Sequence, residues 1–371
     1  MDRLRVSFSA LRADAHLVSH LPNIQYLCGF TGSAAILLIE PHRSTLFTDS
    51  RYTFQAKEEV ADAGVQIAKK GLVRAVGLAL RRRRGRTRVV YAPGQVSVAQ
   101  KEALVRQAGR KVRWIDGGSM VEKLRAVKDS QELATMREAA QLISAVFQAL
   151  TPRIKVGASE LELAAEIDYA IKLKGAAGPS FETIVASGER SAWAHARPSP
   201  KLLGKNELVV LDQGAILRGY CSDMTRTVFL GRAPENVRKM YQGVLEAQAA
   251  AKAAIRPGVT AGAVDRAARR VLRGYSLDRQ FTHSTGHGLG LEVHEMPRLG
   301  QREKTVLEEG MVLTVEPGFT WRASAEFELK TTYSSPLQAS RISQLRRGNF
   351  SNSKWQRKLN QPQVQTARPA A

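Results

Sequence analysis

Two acidic residues stand where apolar strands should carry no charge. Asp212 closes the run Leu208-Val209-Val210-Leu211, and Asp223 falls within Tyr220 to Phe229, which the pattern returns as a second strand. A carboxylate at the end of an apolar strand is costly unless it is paired or coordinated. Two of them on neighbouring strands can share one site. His287 lies in Gly286-His287-Gly288-Leu289-Gly290, where the glycines allow the backbone to come close. His294 follows seven residues later, and Glu316 ends a further apolar run, Met311 to Val315, before Pro317-Gly318. Two Asp, one His and one Glu form an oxygen-rich donor set suited to Mn, Co, Fe or Zn, with no thiolate among them. Singly, each has an ordinary explanation as a salt bridge, a turn cap or a hydrogen-bonded core histidine.

The elements that must position these residues are legible from periodicity. Ala34 to Ile39 and Ser44 to Thr48 are short apolar runs bounded by Gly and Pro, and read as buried strands. With helices over Arg51 to Ala61 and Val98 to Ala108, residues 1–120 form an α/β unit. A boundary near Asp116-Gly117-Gly118 is followed by helices over Lys128 to Leu150 and Ser159 to Lys174. The first opens on Asp129-Ser130-Gln131-Glu132, which has the spacing of a capping box. Strands Glu207 to Asp212 and Tyr220 to Phe229 flank a turn at Gly214 to Gly219. Two more helices cover Glu235 to Ile255 and Ala261 to Arg273. Helix pair, strands, helix pair, strands describes two similar halves around antiparallel sheet, an α+β domain.

Composition narrows the classes. At 371 residues, with 43% hydrophobic and 24% charged, the chain has ample material for a folded core. Its two cysteines, Cys28 and Cys221, exclude a disulfide scaffold and fit a reducing compartment. No apolar run approaches the roughly 20 residues of a membrane span, and the N-terminus lacks the apolar core of a signal peptide, so a cytoplasmic location is expected. The net charge of +22 invites a nucleic-acid reading. The run Arg81-Arg82-Arg83-Arg84-Gly85-Arg86-Thr87-Arg88 follows an apolar helical stretch, however, and reads as a solvated helix end. No aromatic interleaving accompanies it, and no nucleic-acid partner is expected.

Taken jointly, the segments resemble a known family. Asp212-Gln213-Gly214-Ala215, then Ser222-Asp223-Met224-Thr225-Arg226-Thr227, then Thr285-Gly286-His287-Gly288 to His294-Glu295-Met296-Pro297, then Glu309-Gly310-Met311 to Glu316-Pro317-Gly318 occur in the order and spacing of the pita-bread metallopeptidases, in the branch of aminopeptidase P and prolidase. Ser191-Ala192-Trp193-Ala194-His195-Ala196-Arg197-Pro198 resembles the family segment that carries a substrate-side histidine, and Pro22 to Gly32 with Asp49-Ser50-Arg51-Tyr52 resembles the creatinase-type N-terminal domain.

The resemblance implies a creatinase-like domain over residues 1–120 and a pita-bread catalytic domain over 121–319. It implies two divalent ions, manganese first with Co, Zn or Fe as alternatives, held by Asp212, Asp223, His287 and Glu316, with Asp223 bridging. It further implies that a hydroxide shared by the ions attacks the scissile carbonyl, that His195 and His294 act on the substrate side, and that the substrate is a proline-containing peptide. A homodimer is implied as well. A catalytically inactive pita-bread binding protein is the alternative reading.

The sequence leaves the family pattern after Phe319. The family continues with a Gly-Gly-Ile-Arg-Ile-Glu-Asp strand whose Glu completes the metal site, whereas Thr320 to Lys330 carries no such motif. Glu326 and Glu328 are nearby acids in unrelated surroundings. The genetic code offers an explanation. Read from the third base of each codon, the codons allowed from Phe319 onward permit Gly-Gly-Ile-Arg-Ile-Glu-Asp in the right place. Residues 320–371 therefore read as an out-of-frame tail, basic, without a sustained apolar period, and with little stable structure expected after about residue 335. On this reading the catalytic domain lacks its last strand, leaving an open sheet edge and one metal ligand fewer.

Overall fold

The apolar runs of the first 120 residues are continuous rather than alternating, and they become strands covered on both faces. The computed structural model describes residues 1–321, 325–328 and 331–334. The first domain consists of α1 (Asp2–Leu11), β1 (Ala15–Val18), α2 (Leu21–Cys28), β2 (Ala35–Ile39), β3 (Ser44–Thr48), α3 (Thr53–Glu59), β4 (Gly64–Ile67), α4 (Leu72–Arg81), β5 (Thr87–Tyr91), α5 (Val98–Ala108) and β6 (Val112–Asp116). Its strands form one mixed sheet in the order β4-β3-β2-β1-β5-β6. Leu4, Phe8, Ile24 and Leu27 of α1 and α2 pack on one face, and Val76, Leu80, Leu104 and Ala108 of α4 and α5 on the other. Two covered faces leave no solvent side for polar alternation.

The second domain follows with α6 (Met120–Ala126), α7 (Ser130–Leu150), α8 (Glu160–Leu173), β7 (Gly178–Pro179), β8 (Ile184–Ser187), β9 (Glu207–Gln213), β10 (Ala215–Leu217), β11 (Tyr220–Cys221), β12 (Met224–Leu230), α9 (Glu235–Ala254), α10 (Ala261–Gly274), β13 (Gly286–Gly288), β14 (Glu295–Leu299), β15 (Val312–Val315), β16 (Gly318–Trp321), β17 (Ala325–Glu328) and β18 (Thr331–Ser334). The two halves are present as expected. Helices α7 and α8 pack through Ile143, Val146, Leu163 and Ile167 against Val185, Val209 and Leu211. Helix α10 buries Val264, Ala268 and Leu272 with Leu299, Leu313 and Val315. That four-residue spacing leaves Arg266, Arg270 and Arg273 exposed on the other side of the helix, while Arg269 at the boundary pairs with the buried Asp265. Capping boxes start α7 (Asp129 with Glu132) and α8 (Ser159 with Glu162), satisfying amide donors that the first helical turn leaves free.

Three features depart from the expected elements. Helices α1, α2 and α6 are not among those expected from periodicity. The expected single strand Tyr220 to Phe229 is two strands, broken at Ser222 and Asp223, and the turn before it contains β10, which pairs with β11 and β7. The break is held by Ser222, whose hydroxyl accepts from the Ala215 amide at 3.0 Å. Finally, β15 does not present an open edge. It pairs with β18 from Val312↔Ser334 to Val315↔Thr331, and β16 and β17 form a hairpin. The expectation for residues after 335 lies outside the described residues.

Candidate metal centre and cleft

The strand break, the middle of β13 and the end of β15 converge on one buried point. Asp223, His287 and Glu316 bring one ligand atom each within 4.8 Å of one another, the one such cluster among the described residues. His287 Nε2 lies 3.0 Å from Glu316 Oε1 and 3.6 Å from Asp223 Oδ2. Sheet geometry explains the glycines beside His287. Strand β13 runs between β14 and β15, and a Cβ on Gly286 or Gly288 would come within 2.1 Å of the Thr314 or Met296 carbonyl oxygen. The register shifts between His287 and Gly288, a bulge that re-aims the imidazole.

The donor set suits a divalent cation. His287 Nδ1 faces the Gly288 carbonyl at 2.8 Å, so it carries the proton and leaves the Nε2 lone pair aimed at the carboxylates. Thr314 accepts from the His287 amide at 3.0 Å and donates to Glu316 Oε1 at 2.6 Å, fixing two of the three groups from one hydroxyl. Burial disfavours the charged ring of His287, but the bond to Glu316, its charge and the Gly288 carbonyl outweigh that cost, and the ring's pKa is raised. An imidazolium and a divalent cation are thus alternative ways to balance the same carboxylates. Asp212 is also buried, at 3% exposure, and pairs with Thr225 across β9 and β12. It does not join the three-residue cluster. Instead it borders a small hollow with Ser191, Trp193 and Ala194.

The cluster opens through His287 and Glu316 onto a cleft of about 670 Å³ that His195 and His294 also line. The His294 ring lies 4.3 Å from that of His287. Both His195 and His294 are exposed. The side chains of Glu326 and Glu328 lie outside the described residues.

Sequence reasoning gave no role to several residues that shape this cleft. His283 and Arg298 line it, as do Gln95 of the first domain and Glu122 and Arg125 of α6. Arg125, 2% exposed, donates to Asn23 at 2.7 Å and to Glu292 at 2.8 Å, and pairs with Glu295. Lys128 bonds the other Glu295 oxygen at 3.1 Å, and His20 lies 3.2 Å from Glu292. Glu292 and Glu295 flank His294, so the Arg125 and Lys128 ion pairs, with contacts to His20 and Asn23 at the start of α2, brace the segment that carries it. Burial pushes the Lys128 pKa down despite Glu295, the expected cost of an ammonium away from water. Residue type alone does not separate a buried cation such as Arg125 or Lys128 from a solvated one.

The sequence matches the family model for metallopeptidase family M24 over residues 134–337 and that for the creatinase/prolidase N-terminal domain over residues 1–127. The chain belongs to metallopeptidase family M24. Among its relatives, the uncharacterized peptidase YqhT of Bacillus subtilis is 38% identical over 86% of this chain and 90% of its own length. An Xaa-Pro dipeptidase of Pyrococcus horikoshii is 35% identical over 82% of this chain and 85% of its own. Of the solved structures, an Xaa-Pro dipeptidase from Bacillus anthracis superposes with a TM-score of 0.86 at 32% identity, covering 90% of this chain and 94% of that one. A prolidase from Pyrococcus furiosus gives 0.83 at 31% identity, covering 89% and 96%. The M24 match runs 18 residues past Phe319, into the segment where the family motif breaks off.

Proposed function

We propose that this M24 chain hydrolyses the bond between an N-terminal residue and proline, with Asp212, Asp223, His287 and Glu316 holding two divalent ions, manganese first. The observation that carries the reading is the buried Asp223–His287–Glu316 cluster opening onto a cleft lined by two further histidines. Relatives named Xaa-Pro dipeptidase supply the substrate class. Asp212, buried on β9 opposite Thr225, is the further carboxylate this reading assigns to the second ion. Bound divalent ions supply an activated water and polarise the scissile carbonyl. The chain's own residues do the rest. His195 and His294 offer N–H donors to the negative charge that develops on the carbonyl oxygen. Arg298 offers a guanidinium suited to a carboxylate, which favours a short peptide whose C-terminus reaches the cleft. The two cysteines are free and buried, in keeping with a cytoplasmic setting, and no helix among the described residues is long and apolar enough to cross a membrane.

The test compares an Xaa-Pro dipeptide, an Xaa-Pro tripeptide and a Pro-Xaa dipeptide in the presence of manganese. Cleavage of the first two only, with the dipeptide faster, is expected. Cleavage of Pro-Xaa at a similar rate refutes the specificity. A second reading, a pita-bread protein that binds peptide without cleaving it, is favoured by one observation, the absence of a Gly-Gly-Ile-Arg-Ile-Glu-Asp motif after Phe319. Metal and peptide binding without turnover decides for it.

A further inference from the structure

His195 belongs to an exposed turn with no regular structure of its own, yet both ends of its loop meet one buried carboxylate. Glu160 is the first residue of α8 and is 0% exposed. Its Oε1 accepts from the amide and the hydroxyl of Ser187, each at 2.8 Å. Its Oε2 accepts from the Ser199 amide at 3.2 Å, the Ser199 hydroxyl at 2.7 Å and Arg190 Nε at 3.0 Å. Ser187 ends β8, Ser199 lies on the far side of the loop, and His195 stands between them. A buried carboxylate is retained only where donors and a countercharge replace its water, and here all five donors come from the loop or its ends. The backbone adds to the anchor. The Glu160 and Leu161 amides donate to the Lys201 and Ser199 carbonyls at 3.1 and 3.0 Å.

Arg190 carries the anchor outward. Besides Glu160, its guanidinium donates to the Arg197 carbonyl and lies 5.0 Å over the ring of Trp193. The Ala196 amide donates to the Trp193 carbonyl at 3.1 Å, closing the turn around His195. The same turn brings Trp193 and Ala194 beside Asp212.

We propose that Glu160 and Arg190 are positioning residues for His195: the buried carboxylate fastens both ends of the loop, and the guanidinium holds the turn that presents the imidazole to the cleft. The proposal rests on the reading of His195 as a substrate-side group. Its test is arranged so that the two can fail separately.

The first readout needs no activity. Chymotrypsin cleaves after Trp193, which is 60% exposed. Arg190→Ala is expected to speed that cut about tenfold relative to cuts elsewhere, as a closed loop opens, and Arg190→Lys to recover part of the protection through its remaining bond to Glu160. An unchanged rate in Arg190→Ala overturns the anchor whether or not the chain cleaves peptides. The second readout is kinetic. Arg190→Ala is expected to lower kcat for an Xaa-Pro dipeptide about tenfold to a hundredfold at unchanged metal content, and to cost nothing further when His195 is already Ala. Equal losses with and without His195 overturn the route through His195 while leaving the peptidase reading intact. Glu160→Gln extends the test where it folds. Arg190, at the loop's outer side, carries the test where Glu160→Gln does not fold.

Discussion

The two parts of this site are built to opposite specifications. Asp223, His287 and Glu316 come from a strand break, a bulged strand and a strand end. They are largely buried, and neighbours such as the Thr314 hydroxyl bond two of them at once. His195 comes from an exposed loop whose order is supplied from a distance by Glu160 and Arg190. Cation ligands must hold their geometry before the ion arrives, because paired carboxylates repel until it does, and a sheet supplies that stiffness. A group that meets a peptide must let it in and out, and a loop with a tethered base allows this. His294 is intermediate, exposed but flanked by the ion-paired Glu292 and Glu295.

The largest expected effect tests the rigid part. Asp223→Asn, His287→Ala and Glu316→Gln should each lower kcat/KM by about 10³-fold or more with loss of bound metal, followed by dipeptide hydrolysis alongside elemental analysis of the protein. If a variant keeps its metal and its rate, the cluster is not the centre. His195→Ala tests the other part. Its kcat should fall by about 10²- to 10³-fold with full metal content, and a concurrent loss of metal would erase the contrast between the two regions. Thr314→Val sharpens the contrast from within the rigid part. Metal affinity should fall about 10- to 100-fold, as for other groups that orient ligands, with little effect on substrate KM at saturating metal; isothermal titration measures it. The smallest effect is in protons. Because the pKa of His287 is raised in the metal-free fold, its charged form contributes stability that is fully present below the unfolded value and is lost as pH rises through the folded one. Metal needs the neutral ring, so affinity should rise with pH across that range with release of about one proton. A pH-independent affinity there would show that His287 does not bind the ion.

What could be read beforehand follows the same division. The strands that carry Asp212 and Glu316 and the glycine-flanked His287 were legible because a charge ending an apolar run, or a histidine between glycines, is locally conspicuous. The capping boxes of α7 and α8 were legible for the same reason. Glu160 was not, although it begins α8. An acid in a first helical turn is ordinary, and only the return of Ser187, Arg190 and Ser199 in space reveals five donors on it. The Arg125–Glu295 pair escaped notice because its partners are 170 residues apart. The break at Ser222 and Asp223 escaped because its cause, the Ser222 bond to Ala215, lies across a hairpin. Of the arginines from Arg81 onward, Arg81 ends α4 and Arg82 caps it, Arg83 pairs with Glu40, and Arg88 belongs to β5. Gene sequencing addresses the tail: codons from Phe319 that cannot encode Gly-Gly-Ile-Arg-Ile-Glu-Asp in the shifted frame would sink the out-of-frame reading.

The most direct test of the central claim is a manganese titration of chelator-stripped protein, with bound metal and Xaa-Pro dipeptide hydrolysis followed in the same samples. The account predicts no cleavage without metal and a rate that grows with occupancy up to two ions per chain. Cleavage that survives complete stripping, or a fully loaded chain that binds the dipeptide and leaves it intact, would contradict it.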